Sequence, residues 1–241
     1  MKRFALIGCP VAGSLSPALF HAAYGGRWSY ELIDTPSFDE AWERFLSGYD
    51  GINVTAPFKQ DAFARCDRLS DDARRSGAVN LVLRQDGCCM GFNTDVDGVR
   101  GALRECPEVP PHASILVVGT GGAARAAAAG AQLLGCSVTV AGRSLLKAEA
   151  LGCPAVLLSE TTELQPDIVI YTLPASAPVP AGLPLSGAVV LEAEYRRPAL
   201  AQVPCRSYVS GRRWLLGQAV AGYRLFTGEE PDAAAMENAI L

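Results

Sequence analysis

Apolar positions along the chain fall into short runs separated by turn residues. Residues 4–7 form the first compact apolar run and predict a strand. Ser16-Pro17 reads as an N-cap followed by proline at the first helical position. Residues 30–34 predict a second strand. Ser37 and Glu40 then have capping-box spacing, and Ala41, Trp42, Phe45 and Leu46 mark the apolar stripe of the following helix. Residues 51–55 predict a third strand, closed by Pro57, and residues 78–83 a fourth, followed by the tight-turn pair Asp86-Gly87. Thr94 or Asp95 is placed to cap a helix running to about Glu105.

Pro107, Pro110 and Pro111 then break any helix and mark a boundary. The pattern changes beyond it. Residues 114–118 are continuously apolar, as in a parallel strand buried on both faces. A glycine-rich turn and an alanine-rich helix over 123–134 follow. Strands are predicted at 137–140, 155–158, 167–171 and 188–191, with a short helix at 145–151. From about Arg212 the chain is helical through Trp214, Leu215, Ala219 and Tyr223, and Thr227-Gly228 stops it. This β-α-β-α-β order argues an α/β class with a doubly wound sheet and right-handed crossovers.

Composition narrows the function classes. Hydrophobic residues make up 49% and charged residues 19% of the 241, enough for one or two well-packed domains and incompatible with bulk disorder. Net charge is 21 − 25 = −4, so neither a nucleic acid nor an anionic membrane surface is expected as partner. No apolar run approaches the ~20 residues of a membrane helix. The short apolar run at the N-terminus is interrupted by Gly8 and Pro10 too soon for a signal peptide, so a cytoplasmic location is expected. The eight cysteines include no Cys-x-x-Cys, and only His21 and His112 could supply imidazole, so no metal site is expected. Free, mostly buried thiols are the expectation.

The segment Gly119-Thr120-Gly121-Gly122-Ala123 lies between a predicted strand and a predicted helix. Such glycines allow a tight turn and close backbone approach to a pyrophosphate, with the helix N-terminus supplying amide donors. Ala124 stands where a third glycine often falls. A dinucleotide site outweighs plain turn chemistry because of the βαβ context. The next strand ends in Gly142-Arg143-Ser144, with Lys147 one turn later, where an NAD site would want Asp or Glu. A guanidinium, a hydroxyl and a lysine there suit a 2′-phosphate, which points to NADP(H). The alternative is that Arg143 and Lys147 are a solvated helix start.

Polar side chains recur at the ends of predicted strands in the first half: Ser14, Ser16, Asn53, Thr55, Asn80, Asn93 and Asp95, with Lys59 as the one cation among them. Such positions line the crevice at the carboxyl edge of a sheet, and this set suits a small polyhydroxylated, carboxylated molecule. Seven stretches stand in the order Ser14-Leu15-Ser16-Pro17, Asn53-Val54-Thr55-Ala56-Pro57-Phe58-Lys59, Gly77-Ala78-Val79-Asn80, Asn93-Thr94-Asp95, Gly119-Thr120-Gly121-Gly122-Ala123, the basic segment at Arg143, and Gln218-Ala219. In that order they resemble the shikimate dehydrogenase family over nearly the whole chain.

The resemblance implies a two-domain α/β fold. An N-terminal α/β substrate domain, 1–97 with 212–241, would bind shikimate, and a doubly wound Rossmann domain, 98–211, would bind NADP. It implies NADPH-dependent reduction of 3-dehydroshikimate to shikimate by a monomer or homodimer. Lys59 and Asp95 match the catalytic pair. Ser14 and Ser16 would hold the carboxylate, and Asn53, Thr55, Asn80 and Asp95 the ring hydroxyls, with Tyr195 and Gln218 completing the site. Gly119, Thr120, Gly121, Gly122, Ala123, Arg143, Ser144, Lys147, Thr172 and Gly211 would bind cofactor. Alone, Lys59 would read as a surface lysine after a proline turn.

Several positions depart from the family pattern. Gly13 replaces a His, Leu81 a Thr, and Gly142 an Asn. Tyr171-Thr172-Leu173-Pro174 replaces an Asn-x-Thr segment, Glu192 an Asp three residues before Tyr195, and Trp214 a Met close to the nicotinamide. Most fall on the cofactor side. They leave open an NAD-preferring quinate/shikimate dehydrogenase, although the strand over 137–141 ends in no acid. They also leave open a non-catalytic substrate-binding paralogue, although both Lys59 and Asp95 are present.

Overall fold

The computed structural model describes residues 2–240. The chain divides into two compact units. One runs to Thr94 and resumes at Gln218; the other is Asp95–Gly217.

The first unit contains β1 (Arg3–Gly8), α1 (Ser16–Tyr24), β2 (Ser29–Asp34), α2 (Phe38–Gly48) and β3 (Gly51–Val54). It continues with α3 (Lys59–Arg65), β4 (Arg68–Leu69), α4 (Asp71–Ser76), β5 (Leu81–Gln85) and β6 (Cys88–Phe92). Its sheet order is β2-β1-β3-β5-β6-β4. β1 lies parallel to β2 and β3, while β5 is antiparallel to β3 and β6. Alternation along β1 sorts the core into two faces. Ala5 and Ile7 join Ile33, Ile52 and Val54 against Trp42, Phe45 and Phe58. On the other face Phe4 stacks on Phe226, and Phe20 meets Tyr223 edge-on at 4.9 Å between ring centres.

Local details differ from the sequence reading for identifiable reasons. Ser16 is the first residue of α1 and not its cap. Leu15 holds the cap position, and the Ser16 N–H donates to Ser14 Oγ at 3.2 Å. Ser37 caps α2 as expected, accepting from the Glu40 N–H at 3.3 Å. The reciprocal half of the box runs through Thr35, whose hydroxyl donates to the Glu40 carboxylate at 2.7 Å and accepts from the Ser37 N–H at 3.2 Å. Leu46 lies at the edge of the stripe and is 42% exposed. The strand expected over 78–83 is β5 and starts at Leu81; the residues before it bond to α3, β3 and β6 in turn, Val79 N–H to the Lys59 carbonyl, Asn80 carbonyl from the Val54 N–H, and Asn80 N–H to the Phe92 carbonyl. Asp86 (φ 51°) and Gly87 (φ 78°) form the left-handed two-residue turn between β5 and β6.

The second unit holds α5 (Asp95–Arg104), β7 (Ser114–Val118), α6 (Gly122–Leu133), β8 (Ser137–Gly142), α7 (Leu145–Glu149) and β9 (Ala155–Leu157). After a 3-10 turn come β10 (Ile168–Tyr171), β11 (Val189–Glu192) and β12 (Ser207–Val209). The last helices are α8 (Gly211–Thr227), which continues into the first unit, and α9 (Ala233–Asn238), within the first unit. All strands of the second sheet are parallel, in the order β12-β11-β10-β7-β8-β9. Counted from β7 this is the doubly wound order 3-2-1-4-5-6 read in reverse, and its switch point lies between β7 and β10. One face packs Ile115, Val117, Val140 and Ile170 under the alanines of α6. Those alanines bring α6 close to α5: a Cβ at Gly130 would lie 3.1 Å from the Val96 carbonyl. The other face, Leu116, Val118, Val169, Tyr171 and Val190, is covered largely by Leu173, Leu185, Leu200 and Val203 from irregular segments.

Candidate active site

In the first unit, the polar side chains predicted from sequence gather at the carboxyl ends of β1 and β3 and the start of β5. Ser14 and Ser16 lie 3.1 Å apart hydroxyl to hydroxyl at the head of α1, and the Tyr223 phenol donates to the Ser16 carbonyl at 3.0 Å. Asn53 is the penultimate residue of β3, 7% exposed. It accepts from the Tyr30 phenol at 2.7 Å and donates to the Asn80 carbonyl at 3.3 Å. Asn80 is 3% exposed. Its Oδ1 accepts from the Thr94 N–H at 2.8 Å, and its Nδ2 donates to Thr94 Oγ1 at 3.0 Å and to Gln218 Oε1 at 3.3 Å. Burying amides costs free energy unless they are bonded, so this net fixes the direction of each one.

Thr55 follows β3 half-buried, its N–H donating to the Ile7 carbonyl at 2.9 Å. Gly8 permits this, since a Cβ there would collide with the Thr55 methyl. Lys59 is the first residue of α3, half-buried, and its carbonyl takes the Val79 N–H at 2.9 Å. Asn93 lies outside the amide net: its Nδ2 donates to Ser76 Oγ at 2.8 Å and to the Ala78 carbonyl at 3.0 Å, holding the turn after α4. Sequence reasoning missed Tyr30 and Tyr223, because an aromatic in an apolar strand or helix pattern is ordinary. Thr94 is legible in the sequence as a candidate cap and as the middle of Asn93-Thr94-Asp95, but not as a partner of Asn80.

Asp95 opens α5 in the second unit and is 8% exposed, at the helix end that favours an anion. Gly119 follows β7 with φ 124°, and a Cβ would collide with the Thr172 hydroxyl, which donates to the Val118 carbonyl at 2.8 Å. Glycine is thus required where the two central strands separate. Gly121 caps α6, and a Cβ there would meet nothing within 4 Å. That open cradle, with the unspent N–H groups of the α6 first turn, fits a pyrophosphate. Gly142 ends β8, where a Cβ would lie 2.8 Å from the Thr120 methyl, so Thr120 occupies room that a side chain at 142 would need. Arg143 and Lys147 are exposed beside it. Ser144 caps α7 by accepting the Lys147 N–H at 3.4 Å, a role that still leaves its O–H to donate outward.

Tyr195 is half-buried on the segment after β11. That segment is anchored by Glu192, which is fully buried and accepts from the Ala199 N–H (2.6 Å), the Leu200 N–H (3.1 Å) and the Tyr208 phenol (2.9 Å). Burial, with the Glu192 bond second, pushes the Tyr208 phenol well above its ordinary range. Gly211 starts α8, and a Cβ would come within 2.5 Å of the Glu192 carbonyl. Trp214 is 3% exposed within the apolar core that includes Val96, Val99 and Leu191.

All eight thiols are free. Three are buried and five half-buried, fewer fully buried than expected. Burial, then the neighbouring Cys89, pushes Cys66 up to about 12. Burial likewise raises Cys9, Cys89, Cys106, Cys136 and Cys153, which makes these thiols poor nucleophiles. Among the described residues no helix is long and apolar enough to cross a membrane, and no three His, Cys, Asp or Glu side chains are grouped to hold a metal.

Two family models match the chain: the shikimate dehydrogenase substrate binding domain over residues 6–82, and the shikimate 5′-dehydrogenase C-terminal domain over 215–241. A shikimate dehydrogenase (NADP(+)) from one strain of Thermus thermophilus is 37% identical over 260 residues, covering 99% of this chain and 97% of the relative. The crystal structure of shikimate 5-dehydrogenase from another strain of Thermus thermophilus, with NADP(H) and shikimate, superposes with a TM-score of 0.84 at 34% identity, covering 100% of this chain and 98% of that one. A quinate dehydrogenase from Corynebacterium glutamicum in complex with NAD superposes with a TM-score of 0.84 at 26% identity, covering 99% and 98%.

Proposed function

Because the chain belongs to the shikimate dehydrogenase family, we propose that it is an NADP-dependent shikimate dehydrogenase. It catalyses the reversible reduction of 3-dehydroshikimate to shikimate, a step of the shikimate pathway leading to the aromatic amino acids. The observation that carries the reading is the bonded set of Asn53, Asn80, Thr94 and Gln218 in the first unit, on positions that match the family's hydroxyl-binding motifs.

In this reading Ser14 and Ser16 hold the substrate carboxylate with hydroxyl donors. Asn53, Thr55, Asn80, Tyr195 and Gln218 bind the ring hydroxyls and its edge. The open cradle at Gly119–Gly122 and Ala123 takes the pyrophosphate, with Thr172 and Gly211 at the ends of neighbouring elements. Arg143, Ser144 and Lys147 read the 2′-phosphate. The end of β8 offers Arg143 where an acid would be needed to accept from a free ribose hydroxyl, which disfavours NAD. When bound, NADPH would supply the hydride for the ketone carbon, and NADP+ would take one from the alcohol. The ketone oxygen then needs a proton, which the Lys59 ammonium donates and, in the oxidising direction, the Lys59 amine accepts. Asp95 matches the second member of the family's catalytic pair and bonds a ring hydroxyl. The free thiols suit a reducing compartment, and we place the enzyme in the cytoplasm, as a monomer or homodimer.

Lys59→Ala tests the assignment. Its role is greatest in the transition state, so kcat should fall by about 10²–10⁴ while the shikimate KM changes only a few-fold. Near-normal turnover would remove Lys59 from the chemistry.

A further inference from the structure

Tyr30 is the second residue of β2, outside every motif that carries the family resemblance. We infer that Tyr30 is a positioning residue: its phenol presets the Asn53 amide so that the site offers the substrate ring an N–H donor. The inference rests on the reading of Asn53 as a shikimate-binding residue.

The direction of the amide follows from its partners. A backbone carbonyl can only accept, so the end of Asn53 that lies 3.3 Å from the Asn80 carbonyl is the nitrogen. The oxygen therefore faces Tyr30, 2.7 Å away. An amide oxygen also only accepts, so the phenol proton is committed to Asn53. The amide nitrogen carries two N–H groups, and one is spent on Asn80. The second is what Asn53 presents, and a substrate hydroxyl meets it as an acceptor. With the phenol removed, Oδ1 would lose the partner that opposes rotation of the amide, and a flipped amide would set its oxygen against the Asn80 carbonyl.

The phenol is held in place by aromatic packing. The Tyr30 ring lies 4.9 Å from Phe20 and 6.0 Å from Tyr223, centre to centre. Tyr223 in turn donates to the Ser16 carbonyl at 3.0 Å. One aromatic cluster thus steadies both the Asn53 amide and the head of α1 that carries Ser14 and Ser16. A Phe at position 30 would keep this packing and remove only the hydroxyl, so the variant isolates the hydrogen bond.

The test is calorimetric titration of shikimate into the full chain for wild type, Tyr30→Phe, Asn53→Ala and the double variant, with KM for NADP+ measured alongside. Losing one neutral hydrogen bond predicts shikimate binding weakened about 3- to 10-fold in Tyr30→Phe, with KM for NADP+ unchanged. The double variant should bind like Asn53→Ala alone, because the phenol then has no amide to orient. A general structural defect would instead persist in the Asn53→Ala background. Wild-type affinity in Tyr30→Phe, or losses that multiply in the double variant, would overturn the inference while leaving Asn53 as a binding residue. Unchanged affinity in Asn53→Ala would overturn the reading of Asn53, and the inference with it.

Discussion

Replacing Glu192 by Gln should destabilise the second unit without creating a cavity. The carboxylate is fully buried and serves three donors: the Ala199 N–H at 2.6 Å, the Leu200 N–H at 3.1 Å and the Tyr208 phenol at 2.9 Å. Gln has nearly the same volume but only one acceptor oxygen. The Tyr208 hydroxyl can turn round and accept from the new amide; a backbone N–H cannot. Whichever of Ala199 and Leu200 faces the amide nitrogen loses its bond, and the Leu200 N–H, on a residue 1% exposed, would stay buried without one. Hydrogen bonds to charged groups contribute about 1.5–3 kcal/mol, and an orphaned buried donor costs about 1–3 kcal/mol, two overlapping quantities that together suggest about 2–4 kcal/mol. At about 2–4 °C per kcal/mol for a chain of this size, Tm should fall by about 4–16 °C. Thermal unfolding followed by circular dichroism reads this directly. Tyr208→Phe removes only one of the three donors and should cost clearly less. A Glu192→Gln Tm within a degree of wild type, or a Tyr208→Phe loss as large, would refute the anchoring role.

Two further outcomes are expected. Arg143→Ala should raise KM for NADP+ by about 10-fold or more with little change for NAD+, because a charge-assisted bond to the 2′-phosphate is absent from NAD+. Equal changes for both cofactors would show that Arg143 does not read that phosphate. Asp167 accepts from the Ser114 N–H at 2.8 Å and its hydroxyl at 2.7 Å, and these bonds, the backbone one first, hold its carboxyl below the ordinary 3.8. A carboxyl depressed in the folded state contributes stability above about 3.8, and that contribution is lost as pH falls through the lower folded value. Asp167→Asn should therefore be less stable than wild type at pH 7, with the gap closing in acid once the wild-type carboxylate is protonated in the folded state. A gap independent of pH would contradict this.

The second unit was legible because a buried parallel sheet writes continuous apolar runs: residues 114–118 and 167–171 became the central strands β7 and β10. The missed pieces carry little pattern. β4 has two residues and β12 three, while α3 and α4 have seven and six, too short to show a period. Ser16 read as a cap because serine before proline is the common arrangement, but Ser14 two residues earlier took the N–H instead. The site positions were legible as motifs, and the partners that aim them were not. Tyr30 and Tyr223 look like core aromatics, and Glu192 looks like a surface acid until β11, β12 and the segment between them close over it.

The most direct measurement is nicotinamide reduction followed at 340 nm with shikimate or quinate against NADP+ or NAD+, in all four combinations. Shikimate with NADP+ should give by far the highest kcat/KM, with NAD+ poor because Arg143 then faces no phosphate. Preference for quinate or NAD+ would contradict the assignment of substrate or cofactor. No turnover in any combination, with shikimate still bound by calorimetry, would contradict the enzyme itself and leave a substrate-binding protein.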